Sequence, residues 1–177
     1  MKKNILVTGP PGSGKTTLIE KIVGRLGTPL IGFLTREIRE NGRRVGFSIE
    51  TFDGRREILA HIEMESPFHV GRYGVKMETL ESLAVPSLSA NSPDILIVID
   101  EIGKMECLST SFTRAVQEAL DSANPVLATI AQNGDSFMEG IKLRRDVTLL
   151  TLTMKNRDLL PAGITEELGK LSGSKSS

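Results

Sequence analysis

Eight residues near the amino terminus, Gly9-Pro10-Pro11-Gly12-Ser13-Gly14-Lys15-Thr16, set glycines, a lysine and a hydroxyl in the spacing G-x-x-x-x-G-K-[ST]. Glycines let the backbone wrap an anion with successive N–H groups pointing inward. A helix starting where such a loop ends adds the positive end of its dipole. A polyphosphate suits this arrangement, with Lys15 reaching the terminal phosphates and the Thr16 hydroxyl placed for a Mg²⁺ ion. The flanks agree. Ile5-Leu6-Val7-Thr8 reads as a short apolar strand, and Leu18, Ile19, Ile22, Val23 and Leu26 recur at helical spacing up to Gly27-Thr28-Pro29.

A second constellation follows the continuous apolar run Ile95-Leu96-Ile97-Val98-Ile99, which ends in Asp100-Glu101. Such a run belongs to a strand covered on both faces by helices. In open α/β sheets, ligands bind at the carboxyl ends of strands. Asp100 there suits a Mg²⁺ contact, and Glu101 suits a base that accepts a proton from an attacking water. A carboxylate pair poised for water favours hydrolysis over transfer to a substrate hydroxyl. The plainer reading is two solvated acids at the start of a loop.

Other residues have weaker claims. Thr35, Glu37 and Arg39 begin at the carboxyl end of a second strand, Leu30 to Thr35. Arg39 is the first candidate for a transition-state cation, with Arg144 and Arg145 the second. Lys104 and Glu106 either brace the loop after the acid pair, or Lys104 approaches the phosphates, or the two form a surface ion pair. Asn156 and Arg157 follow the last strand. Arg157 there could stack on a nucleotide base without reading its identity; the alternative is a helix cap by Asn156 and a solvent-facing arginine. His61 and His69 lack metal-ligand spacing, and Cys107, the single cysteine, reads as a small hydrophobe.

The elements that must position these residues alternate between strand and helix. The fold class is α/β: a mainly parallel central sheet with helices on both faces and an antiparallel hairpin or meander extension. The extension is residues 30–62, where Asn41-Gly42 and Asp53-Gly54 separate alternating runs. A helix is expected near Leu80–Ala84, another from Phe112 to Leu120 and a third from Phe137 to Leu143. Strands are expected at Val126–Ile130 and Val147–Leu152, then a short helical carboxyl terminus broken by Pro161. Residues 1–171 read as one domain, and Ser172 to Ser177 as a disordered tail.

Composition limits the function classes. In 177 residues, Lys+Arg and Asp+Glu number 22 each, so the chain lacks the basic excess of a dedicated nucleic-acid or anionic-membrane binder. Aromatics are 4%, with no tryptophan, which argues against a stacking platform for single strands. One cysteine allows no intramolecular disulfide. No apolar stretch approaches the roughly 18–20 residues of a membrane span, and the apolar run before Gly9 is too short for the apolar region of a signal sequence, so none is expected. A cytoplasmic protein is expected.

The phosphate loop, the block Ile99-Asp100-Glu101-Ile102-Gly103-Lys104-Met105-Glu106, and Asn156-Arg157-Asp158 together resemble the small P-loop nucleoside-triphosphatase family of thermophilic bacteria and archaea, which has a human member. Gly32 to Arg39, continuing through Gly42 to Phe47, is similar to that family's strand and hairpin region. The resemblance spans Lys3 to about Leu171. It implies a P-loop fold that hydrolyses ATP, GTP and other nucleoside triphosphates to diphosphate and phosphate, with Mg²⁺ and loose base selectivity. Residues 131–135 have no placed counterpart. The expectation is a monomeric Mg²⁺-dependent phosphohydrolase. A nucleotide or small-molecule kinase and a partner-stimulated nucleotide switch are the alternatives.

Overall fold

The computed structural model describes residues 2–173. In chain order the strands and helices are β1 (Asn4–Gly9), α1 (Lys15–Val23), β2 (Leu30–Glu40), β3 (Arg43–Thr51), β4 (Arg56–His61), β5 (His69–Val70), β6 (Tyr73–Val75), α2 (Met77–Thr79), β7 (Leu96–Ile102), α3 (Thr110–Asp121), β8 (Val126–Ala131), α4 (Ser136–Lys142), β9 (Val147–Thr151) and α5 (Leu160–Gly173). Residues 174–177 of the expected tail lie outside the described residues.

All nine strands join one sheet in the order β5-β6-β4-β3-β2-β7-β8-β1-β9. The half running from β2 to β9 is parallel. The half from β2 out to β5 is antiparallel. This is a P-loop NTPase fold with an antiparallel wing.

The apolar run of β7 shows why both faces need cover. Leu96 and Val98 pack with Leu18, Ile19 and Ile22 of α1 and Ile164 and Leu168 of α5. Ile97 and Ile99 face the other way, toward Phe112, Val116 and Leu120 of α3. Each fully buried Ile or Leu contributes about 1.5–3 kcal/mol relative to exposure, so a polar residue inside these strands must serve some other purpose. Such a residue is Thr129 in β8, fully buried among Leu127, Ala128 and Ile130.

The wing departs from the expected boundaries in an informative way. β2 pairs with β7 only from Leu30 to Phe33. It then continues to Glu40 with β3 as its sole partner, so the β2–β3 hairpin projects past the carboxyl edge of the parallel strands. Asn41 and Gly42 make its turn, both with positive φ (49° and 77°), the conformation that Asn-Gly favours. The hairpin is braced to the body by Arg36, which pairs with Glu20 of α1 and Glu50 of β3.

Two helix expectations need correction. Leu80–Ala84 is a single π turn between α2 and a 3₁₀ turn at Pro86–Leu88. Pro161 is the second residue of α5 and starts that helix; its missing N–H costs nothing where no intrahelical acceptor exists. Among the described residues no helix is long and apolar enough to cross a membrane.

Candidate functional site

The loop between β1 and α1 is held open at both ends. Ser13 N–H closes a turn onto the Pro10 carbonyl (3.1 Å), and Gly14 is the N-cap of α1. Gly12 and Gly14 have φ of 75° and 94°, backbone that a side chain would strain. No side chain caps α1, so its first-turn N–H groups face the loop, where an anion can take them. Lys15 is only 8% exposed and folds back over the loop, donating to the carbonyls of Gly9 (3.1 Å) and Pro10 (3.4 Å).

Asp100 and Glu101 lie within β7 itself, on the strand and not in a loop after it. Their peptide bond is cis. Asp100 is 1% exposed and fully engaged: Thr16 Oγ1 donates to its Oδ2 at 2.7 Å and Thr129 Oγ1 to its Oδ1 at 2.6 Å. Thr35 adds its backbone N–H to Oδ2 at 3.4 Å and gives its hydroxyl to the Asp100 carbonyl. Burial pushes the Asp100 carboxyl above its ordinary range, while the Thr129, Thr16 and Thr35 donors and Lys15 pull it back.

Glu101 is half-buried beside Lys15, with Oε2 at 3.7 Å from Nζ. Burial raises its carboxyl and the Lys15 ammonium opposes that rise. A hydroxyl and a carboxylate oxygen 2.7 Å apart on facing elements are the hard oxygen donors that a Mg²⁺ ion takes alongside phosphate and water. Among the described residues no group of three or more His, Cys, Asp or Glu could hold a metal ion. The hydroxyl of Thr16 and the carboxylate of Asp100 fit an ion shared with a phosphate substrate.

Beside the loop opens a cleft of about 330 Å³, lined by Ser13, Gly14, Thr17, Lys21, Leu152, Arg157 and Asp158. Arg157 thus stands at the phosphate loop. Asn156 is committed to the backbone, accepting from Thr153 N–H (2.8 Å) and donating to the Thr151 carbonyl (2.9 Å). It shapes the turn that presents Arg157.

The other basic candidates separate by position. Arg39 stands on the projecting hairpin, 57% exposed and paired with Glu37 at 2.6 Å. Arg144 bonds Asp121 and Asp146, and Asp146 also accepts from Asn4 at the start of β1. Arg144 and the adjacent Arg145 are therefore at the amino edge, the end of the sheet away from the phosphate loop, and are not transition-state candidates. Of the readings open for Lys104 and Glu106, the surface pair is not what forms: Lys104 is exposed while Glu106 is 5% exposed.

Two site features were not anticipated. Thr129 as a holder of Asp100 had one available signal, a single hydroxyl in the apolar run Val126–Ile130. The loop 131–135 ends in Asp135, whose carboxylate caps α4 through Met138 N–H at 3.0 Å.

Comparison with known proteins agrees with this geometry. The family model NTPase_1, described as NTPase, matches residues 4–165. The chain is 49% identical over 157 residues to "Nucleoside-triphosphatase THEP1" of Thermotoga sp. (strain RQ2), covering 88% of this chain and 90% of that one. It is 39% identical over 183 residues to "Cancer-related nucleoside-triphosphatase" of Homo sapiens, covering 93% and 96%. The crystal structure of THEP1 from the hyperthermophile Aquifex aeolicus superimposes with a TM-score of 0.86 at 38% identity, over 93% of this chain and 98% of that one. With residues 4–165 matched by the family model and relatives at 39% and 49% identity over most of the chain, this protein belongs to the NTPase family.

Proposed function

We propose that the protein is a Mg²⁺-dependent phosphohydrolase that converts nucleoside 5′-triphosphates to diphosphates and phosphate with little preference for the base. The observation that carries this reading is the convergence of Lys15, Thr16, Asp100 and Glu101 at one end of the sheet, with Glu101 ion-paired to the lysine that a triphosphate must engage. The relatives' names support the same reaction class.

The loop amides, the α1 N-terminus and Lys15 bind the phosphates. Thr16 and Asp100 would hold Mg²⁺, which when bound neutralises phosphate charge. A triphosphate draws Lys15 away from Glu101 and leaves that carboxylate free to take a proton from a water in line with the leaving diphosphate. The Arg157 side of the cleft offers a planar cation on which any base can stack, which accounts for loose selectivity. Arg39, on the hairpin over this edge, serves as the transition-state cation by exchanging Glu37 for the terminal phosphate. In this reading residues 1–171 act as one domain and the protein works as a monomer. The cytoplasm supplies both nucleotide and Mg²⁺.

The test is phosphate release from ATP, GTP, CTP and UTP, with and without Mg²⁺, and with no acceptor molecule added. Release from several bases that depends on Mg²⁺ supports hydrolysis. Strict dependence on an added hydroxyl acceptor makes the protein a kinase, and turnover seen only with a protein partner makes it a switch.

A further inference from the structure

Behind Glu101 lies a second carboxyl that the hydrolysis described above does not use. Glu106 opens a 3₁₀ turn, Glu106–Leu108, just after β7 and is 5% exposed. Buried carboxylates normally face a cation or several donors. The charges that act most on Glu106 are instead two other carboxylates, Glu101 and then Asp100, opposed by the backbone N–H groups of Glu106 itself and Gly103.

Gly103 lets the two glutamates meet. A Cβ built on that residue would stand 2.8 Å from Oε2 of Glu106 and 3.3 Å from Oε1 of Glu101. Both oxygens therefore lie against the same face of one glycine. The other oxygen of Glu101, Oε2, is 3.7 Å from the Lys15 ammonium. Glu101 is thus bracketed, with the phosphate-binding lysine on one side and Glu106 on the other.

We propose that Glu106 is a positioning residue which, across the space left at Gly103, holds the Glu101 carboxylate in the orientation its role as base requires. This rests on Glu101 being that base. Burial, then the Glu101 charge, pushes the Glu106 carboxyl up to about 8, so near neutral pH it carries a proton and has an O–H to donate. A neutral acid donating toward Glu101 Oε1 fixes that side chain without competing for Lys15. An ionised Glu106 would repel it.

The remaining titratable groups here do not supply that donor. Asp100 is bound by three threonines, and Lys15 is on the far side of Glu101. Cys107, pushed up to about 12 by burial and by Glu106, Asp135 and Glu101, keeps its proton and offers only the weak donor of a thiol.

Two substitutions separate positioning from space-filling. Glu106→Met keeps the volume and loses the O–H; Glu106→Gln keeps a donor and cannot ionise. Hydrolysis of Mg-ATP is followed against pH, with binding of a non-hydrolysable ATP analogue measured separately. Glu106→Met is expected to lose roughly 10- to 100-fold in kcat, the cost of a misplaced catalytic group, with analogue affinity and KM within about twofold of wild type. Glu106→Gln is expected to restore kcat to within about threefold at neutral pH, and to lack the fall above about pH 8 that wild type shows.

Wild-type kcat in Glu106→Met, or equal losses in the two variants, overturns the proposal. Where Glu106→Met fails to fold, the Glu106→Gln profile decides: an alkaline fall identical to wild type overturns the proposal and its disappearance supports it. Glu101→Gln distinguishes the levels of failure. Normal turnover in Glu101→Gln removes the base itself and this inference with it. An inactive Glu101→Gln beside an unimpaired Glu106→Met removes only the role of Glu106.

Discussion

Thr129 on β8 donates its hydroxyl to Asp100 on β7 at 2.6 Å, and the two side chains are buried together between adjacent parallel strands. The other oxygen of the same carboxylate takes Thr16 from the phosphate loop. Asp100 is therefore tied to β8 through one oxygen, and its second takes Thr16 together with the Thr35 N–H of β2. This division lets a rigid strand set the geometry of a flexible glycine-rich turn.

Thr129→Val should show what that lock contributes. Valine keeps the shape but leaves Asp100 Oδ1 buried without its donor, which costs about 1–3 kcal/mol. Thermal unfolding should shift down accordingly, and the Mg²⁺ concentration giving half-maximal turnover should rise. A variant with wild-type melting temperature and wild-type metal dependence would show that Thr129 is mere filling.

Glu101→Gln should leave the phosphate loop intact. The amide fills the same space beside Lys15 and cannot take a proton from water. Nucleotide affinity is expected to stay within a few-fold of wild type, with kcat down by about 10²–10⁴, the usual contribution of a positioned base. Single-turnover phosphate release separates this from slow product exit. Near-normal release would move the base elsewhere.

The readable parts of this protein in its sequence were those whose chemistry is local. Gly9 to Thr16 is one turn of backbone, and the apolar run into Asp100-Glu101 marks a buried strand end without reference to anything distant. The Asn41-Gly42 hairpin turn was legible for the same reason. What stayed hidden depends on how the chain packs on itself, in part through register between strands far apart in sequence. Thr129 meets Asp100 only because β8 lies beside β7, and Glu106 is buried only because the chain folds back behind Glu101 at Gly103. From sequence alone Lys104 and Glu106 read as a loop brace or a surface pair, and Arg144 reads as a second candidate after Arg39. Topology sends Arg144 to the opposite edge.

That edge assignment is itself testable. Asp146 sits below its ordinary range chiefly through its bond with Arg144. A carboxylate whose pKa is depressed by folding stabilises the fold above its unfolded value of 3.8, and the contribution fades as pH falls through the lower folded value. Arg144→Ala should therefore lose about 1 kcal/mol near neutral pH and progressively less as the medium is acidified below that range. Its kcat should equal wild type. Arg39→Ala, in contrast, should lower kcat with little change in stability, because Arg39 is exposed and its one ion pair is on the hairpin surface. If Arg144→Ala also lost kcat, the two edges would not be functionally separate.

Glu106 carries a stability signature independent of its role in turnover. Its folded carboxyl sits at about 8 against an ordinary 4.5, because burial and Glu101 oppose ionisation. A raised carboxyl favours the fold below the unfolded value, and that advantage drains away as pH climbs toward the folded one. Wild type should therefore become less stable between about pH 5 and pH 8, and Glu106→Gln, which has no proton to lose, should not share that loss. Melting curves at the two ends of this window should nearly coincide at the acidic end and differ at the alkaline end, with the glutamine variant the more stable by roughly 4–5 kcal/mol, the size of the full shift from 4.5 to about 8. The native glutamate would then persist at a cost in stability, as expected of a group retained for what it does to Glu101. Equal melting temperatures across the window would mean that the Glu106 carboxyl ionises as freely as one in water.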